Sequence, residues 1–184
     1  MSETKTVGTK KEPGMGQLVL ILFAISAATA LLLGLVNMLT APVIAANQQA
    51  KKDAAMAAVL PADSYQQVEY TGGDTTVSGI YKAGDAGYVV EVACAGSFSG
   101  TLNIMVGVDT AGTVTGVEVV KTAETSGLGA NAGKADWRAQ FVGLTNAAVT
   151  KDGGTIDSIT GATITSRAVA NGVNSAVAAA ASMG

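Results

Sequence analysis

The chain has no histidine, one cysteine, three prolines and only 4% aromatic residues among its 184. Without histidine, the commonest activator of a hydroxyl nucleophile is missing, so any reactive serine or threonine needs another explanation. With Cys94 as the sole thiol, no intramolecular disulfide and no multi-cysteine metal or iron–sulfur site can form within the chain. Redox chemistry would therefore need a bound organic cofactor. Cys94 lies in the apolar run YVVEVACA and reads as a buried small hydrophobe rather than a reactive thiol. Lysine and arginine number 11 against 14 acids, a net charge of −3, which lacks the basic footprint of a nucleic-acid binder. Alanine and 23 glycines carry much of the 48% apolar fraction, so the core should be tight and built of small residues. The length leaves room for one domain plus one further element.

What is present begins with an uncharged window. No charge occurs between Glu12 and Lys51, and within it Leu18 to Leu39 reads LVLILFAISAATALLLGLVNML. Those 22 residues, at 1.5 Å rise, extend about 33 Å, enough for a hydrocarbon layer of ~30 Å. A cleaved secretory signal is the rival reading, since VIAA (Val43 to Ala46) imitates a cleavage site, but its apolar part is usually only ~7 to 15 residues long. Lys5, Lys10 and Lys11 against Glu3 and Glu12 place residues 1–14 in the cytoplasm by the positive-inside bias, and residues after about 43 on the outer face. Ser26 and Thr29 are expected to bond back to the helix. Pro42 is expected to end or kink it. The resulting division is a tail at 1–14, a transmembrane helix at 15–42, a connecting helix at 43–60 stopped by Pro61, and an outer domain at 61–184.

In the outer domain short alternating runs occupy Val77 to Lys82, Tyr88 to Ala95, Thr101 to Val108 and Thr113 to Lys121. They are joined by Gly84-Asp85-Ala86-Gly87 and Asp109-Thr110-Ala111-Gly112, turn chemistry that points to an antiparallel meander. Leu102, Ile104, Val106 and Val108 should share one face, leaving Asn103, Met105 and Gly107 on a smaller, more open one. A short helix at Ala135 to Leu144, a strand at Thr155 to Ile159, and a final helix with Val169, Val173 and Val177 at four-residue spacing complete the reading. The fold class is α+β: one N-terminal transmembrane helix, then a small, mostly antiparallel sheet packed with helices.

Three Gly-rich or hydroxyl-rich segments carry the candidate chemistry. Asp157 to Val173 reads DSITGATITSRAVANGV, with hydroxyls at Ser158, Thr160, Thr163, Thr165 and Ser166 around Gly161-Ala162, ahead of the final helix. They can cap that helix, hold a ligand by hydrogen bonds, or carry one covalently. The same place suits a phosphate, because free N–H groups favour an anion and Gly161 and Ala162 allow close approach. Thr122 to Ala130 (TAETSGLGA) follows a strand as a Gly-rich loop, and Cys94 to Asp109 (CAGSFSGTLNIMVGVD) supplies a loop and strand.

In this order, after one span, the segments resemble the covalent FMN-binding domain family found in the G subunit of the Rnf complex and the C subunit of the sodium-pumping NADH:quinone reductase. Thr160-Gly161-Ala162-Thr163-Ile164-Thr165 is similar to its S/T-G-A-T-x-S/T motif. Glu124-Thr125-Ser126-Gly127-Leu128-Gly129 looks like its E-T-x-G-L-G loop, and Asn37 to Ile44 (NMLTAPVI) resembles the segment closing the span. The resemblance implies one FMN joined through its phosphate to Thr165 by a flavin transferase. Thr160, Gly161, Ala162, Thr163 and Ser166 would then surround the phosphate, and Glu124, Thr125, Gly127, Leu128 and Gly129 would neighbour the ring or ribityl chain. It implies that 61–184 is the FMN-binding domain of an electron-transfer subunit, not catalytic alone. Its partners would be membrane lipid and the integral-membrane and redox subunits of a complex coupling ferredoxin and NAD chemistry to ion translocation. The short chain favours the Rnf member over its quinone-reductase counterpart. The chain departs from the family at Thr122, where a histidine is frequent, so no role of that histidine transfers. A membrane-anchored binding module without redox chemistry is the alternative reading. A stand-alone reductase is disfavoured, because GLGANAG (Gly127 to Gly133) lacks the G-x-G-x-x-G order of a nicotinamide site.

Overall fold

The computed structural model describes residues 14–183, and the tail lysines that set the expected orientation lie outside them. The chain divides into two units, 1–48 and 49–184. Helix α1 runs from Met15 to Val59. Its apolar window has a mean hydropathy of 2.7 and is unburied by protein, the composition and length of a membrane span. Thr29 and Thr40 bond back to the carbonyls of Ile25 and Val36, each at 2.9 Å, and so hide their hydroxyls on the helix itself. Pro42, expected to end or kink the helix, stands inside it. The expected connecting segment is helical, continuous with the first part, and ends before Pro61.

The second unit is a five-stranded sheet in the order β1-β2-β3-β4-β5, with every neighbouring pair antiparallel. The strands are β1 (Gln66–Val68), β2 (Val77–Lys82), β3 (Gly87–Ala93), β4 (Leu102–Asp109) and β5 (Val114–Thr122). The four longer strands match the alternating runs to within two residues. The three-residue edge strand β1 carries no comparable signal. One sheet face packs on α3 (Thr163–Ala181), where Val169 and Val173 are fully buried with Val92, Ile104, Val106 and Phe141.

The opposite face differs from expectation. Met105 is fully buried and Gly107 is covered, because the last turns of α1 close over them with Ala55, Met56 and Val59. The absence of side chains is what permits this. Gly107 and Gly116 are cross-strand partners, and a Cβ on either would run into the Val59 backbone. Thr115 Oγ1 donates to the Val59 carbonyl at 2.6 Å, satisfying a helix-end acceptor.

Two further expectations are corrected. The helix at Ala135 to Leu144 is one turn, α2 (Ala135–Arg138), followed by a 3₁₀ turn to Phe141. Gly143, at φ +84°, turns the chain so that Gly143 and Leu144 bond to Val114 of β5. The strand at Thr155 to Ile159 is a single bridge between Ile156 and Val149. Side chains have taken its backbone groups: Trp137 Nε1 donates to the Asp157 carbonyl, Gln140 Oε1 accepts from the Asp157 amide, and Ser166 Oγ from that of Ile159.

Candidate functional site

Three loops that the sheet brings together bound a cavity of about 370 Å³ at the start of α3. Gly161, Ala162, Thr163, Ile164 and Thr165 form one wall, and Glu124, Thr125, Leu128 and Gly129 form the second. Phe98 and Lys151 complete it. The first wall follows from Gly161, whose φ of +75° turns the chain sharply into the helix. A Cβ there would meet Leu128 Cδ2 at 3.0 Å, so the two walls touch through a residue without a side chain. The second wall is shaped by Gly127 at φ +78°, with Asn131 Nδ2 donating to its carbonyl at 2.8 Å.

Among the described residues no side chain caps the N-terminus of α3, whose N-cap residue is Ala162. Ser166, Thr163 and Thr165, the hydroxyls of its first turn, are otherwise engaged. Ser166 is fully buried, accepts from the Ile159 amide and donates to the Ala162 carbonyl, each at 3.0 Å. Lys151 Nζ donates to Thr163 Oγ1 at 3.1 Å, which adds a cation beside uncapped first-turn amides. That combination favours an anion.

The floor of the cavity is a buried pair. Thr165, 1% exposed, donates through Oγ1 to Glu124 Oε2 at 2.7 Å. Glu124 Oε1 accepts from the Ser99 amide at 2.9 Å and the Ser99 hydroxyl at 2.8 Å. Burial alone would raise the Glu124 carboxyl, but the Ser99 amide, the Thr165 hydroxyl and the Ser99 hydroxyl together hold it below its ordinary value. Gly129 seals the pair, since a Cβ there would overlap Glu124 Oε2 and come within 2.8 Å of Thr165 Oγ1. Around the rim Phe98, Ile164 and Leu128 expose apolar side chains, the surface a planar aromatic ligand would cover.

Eight of the eleven residues singled out in the sequence line this one cavity: Thr165, Gly161, Ala162, Thr163, Glu124, Thr125, Leu128 and Gly129. Gly127 shapes the loop behind it. Thr160 is exposed outside it, and Ser166, expected beside a phosphate, is turned into the protein. Thr122 also stays outside, its hydroxyl accepting from the Glu124 amide at 3.1 Å. Sequence reasoning missed Phe98, Lys151 and Ile164. An isolated aromatic within GSFSG was a usable signal for Phe98, whereas nothing in the chain order distinguishes Lys151. Cys94 is buried, and burial with the nearby Glu124 charge pushes its thiol up to about 12, so it stays an inert packing group.

Two regions of the chain match known families. Residues 97–178 match the FMN-binding domain, and residues 15–59 match the RnfG N-terminal region. The chain is 32% identical to the G subunit of the Na⁺-translocating ferredoxin:NAD⁺ oxidoreductase complex of Acetobacterium woodii, over 86% of this chain and 87% of the relative. It is 38% identical to the G subunit of the ion-translocating oxidoreductase complex of Aliivibrio fischeri, over 87% and 86%. The corresponding G subunit of Methanosarcina acetivorans is 34% identical, over 88% and 92%.

Proposed function

The chain belongs to the family of G subunits of ion-translocating oxidoreductase complexes, and from that premise we propose that it carries FMN as a phosphoester on Thr165 and serves in electron transfer at the membrane. The donor set fits the group. A phosphate at Thr165 Oγ1 lies at an uncapped helix start with the Lys151 cation within reach, and the Gly161 turn leaves room for it. Phe98, Leu128 and Ile164 supply apolar surface for the ring, and Thr125, which lines the same cavity, is its hydrogen-bonding neighbour in this reading. FMN, when bound, supplies one- and two-electron transfer. The protein's share is position. Fixing the redox group by a bond to the first turn of α3 holds its orientation through repeated transfers and prevents its loss from an exposed domain.

Residues 15–42 are the bilayer segment, 43–60 the connection and 61–184 the flavin domain, with residues 1–14 in the cytoplasm and the flavin domain on the outer face. The partners are the other membrane and redox subunits, since one helix cannot conduct ions and one flavin cannot join two soluble substrates. Maturation requires a flavin transferase. The observation that carries this reading is the convergence of Thr165, the Gly161 turn, Lys151 and the apolar rim on one cavity.

The test is direct. Full-length chain matured with a flavin transferase and run on a denaturing gel should fluoresce under ultraviolet light, and Thr165→Ala should be dark. Flavin released by denaturation from the wild-type chain would end the covalent reading.

A further inference from the structure

We propose that Glu124 takes the proton from the Thr165 hydroxyl as the flavin phosphate is attached, making it a catalytic residue of the attachment step rather than a contact of the flavin ring. This rests on the covalent reading above and adds to it where the base comes from. A histidine is missing from the chain, so a base within it must be something else.

The geometry selects Glu124. A helical threonine or serine can return its hydroxyl to a carbonyl one turn back, as Thr29 and Thr40 do on α1 and Ser166 does on α3. Thr165 instead donates to Glu124 Oε2 at 2.7 Å, the short distance of a hydroxyl on a carboxylate. That fixes Oγ1 with its proton directed at the acid and a lone pair free for the cavity. The other carboxylate oxygen is held by two Ser99 donors, which lock the side chain in that orientation. Gly129 leaves no space for the pair to separate toward the loop. Lys151, the other ionisable group lining the cavity, already donates to Thr163 and is a cation.

The step balances without any oxidant. Thr165 Oγ1 attacks the flavin-side phosphorus of a flavin phosphoanhydride presented by the transferase. One P–O ester bond forms and the anhydride P–O bond breaks. The departing phosphate monoester takes the electron pair, and the hydroxyl proton passes to Glu124 Oε2. The carboxyl that results is neutral, so the new phosphate group faces a hydrogen-bond donor instead of a repelling anion.

Attachment is measured on full-length chain by intact mass against time, with purified transferase and its flavin phosphoanhydride. Glu124→Gln keeps the shape but cannot accept the proton, and should slow attachment by about 10² or more, the usual contribution of a general base. Glu124→Asp keeps the acid on a shorter arm and should remain within about tenfold of wild type. A folded E124Q chain modified at the wild-type rate overturns the proposal. If E124Q fails to fold, E124D decides: a rate within about tenfold supports the proposal, and a loss of about a hundredfold overturns it. A wild-type chain that stays unmodified, or a T165A chain modified as fast, removes the attachment reading together with this one. Wild type modified, T165A blank and E124Q fast removes only the role of Glu124.

Discussion

Lys151 and Thr163, twelve positions apart, meet at 3.1 Å, and the ammonium thereby stands beside the first residue of α3. Asp152 on the same loop is already paired with Arg167 at 2.6 Å, so Lys151 stands beside the helix start as a cation available to the anion that start favours. Lys151→Gln in the unmodified chain should weaken binding of FMN by about 3- to 10-fold, the modest effect of an exposed charge, and leave riboflavin binding unchanged. Fluorescence titration with the two ligands checks it. Equal loss for both would mean that the lysine shapes the loop and does not read the phosphate.

Gly129 and Gly133 make a matched pair for testing how closely the cavity floor is packed. A Cβ on Gly129 would overlap Glu124 Oε2, whereas one on Gly133 meets nothing within 4 Å. Gly129→Ala should destabilise the chain by about 1–3 kcal/mol, as overpacking does, and also slow flavin attachment. Gly133→Ala should stay within about 0.5 kcal/mol. Denaturant unfolding of the detergent-solubilised chain, followed by Trp137 fluorescence, separates the two.

The sheet was legible because short runs rich in Val and Ile are separated by joints that carry Gly, two of them with Asp, so β2 to β5 follow from pattern. The site was legible where chemistry is local: Gly161, Thr163 and Thr165 fall within five residues, and the Glu124 loop has its own glycines. What stayed hidden depends on tertiary contact. Met105 and Gly107 look like an open face until residues 55–59 cover them, and Gly107 marks a close approach only once its partner Gly116 is known. Ser166 reads as a phosphate ligand by position, yet a helix turns each successive side chain by about 100°, which carries it from the cavity into the core. Lys151 enters the site from a loop that the sequence leaves unremarkable.

Lys52 and Glu91 join the end of α1 to β3 at 2.7 Å, with the Glu91 side chain only 7% exposed. The hydrogen bond to Glu91 raises the Lys52 amine above its ordinary 10.5, against the lowering effect of burial. A raised lysine contributes stability that is present below its unfolded value and is lost as pH climbs through the folded one, so this pair should be lost only in strongly basic solution. Lys52→Met leaves a buried acid unpaired and should cost about 1–3 kcal/mol at neutral pH. Replacing both partners with apolar residues, as in K52M with E91L, should recover most of that loss. Unfolding midpoints of the two variants check the sign, and equal losses would show that the pair acts through shape alone.

Glu124 gives the site an acid limit. Its carboxyl sits below the ordinary 4.5 because the Ser99 and Thr165 donors outweigh burial. A depressed carboxyl contributes stability that is present above the unfolded value and is lost as pH falls through the folded one. Asp74 and Asp152 are also held low, by Thr76 and Arg167 respectively, so the raw acid profile mixes several groups. The difference between wild type and Glu124→Gln isolates one of them. In the unmodified chain that difference should favour wild type by about 1–2 kcal/mol at neutral pH and shrink as pH drops below about 4.5. Attachment of the flavin changes the balance at the same carboxyl. Thr165 loses its proton as a donor and a phosphate arrives beside Oε2, and both changes push the carboxyl upward. A folded-state value closer to the unfolded one leaves less stability to lose, so the modified chain should lose less on acidification than the unmodified chain. Melting curves of the two forms from pH 3 to pH 7 would show it, and coincident profiles would place the phosphate away from Glu124.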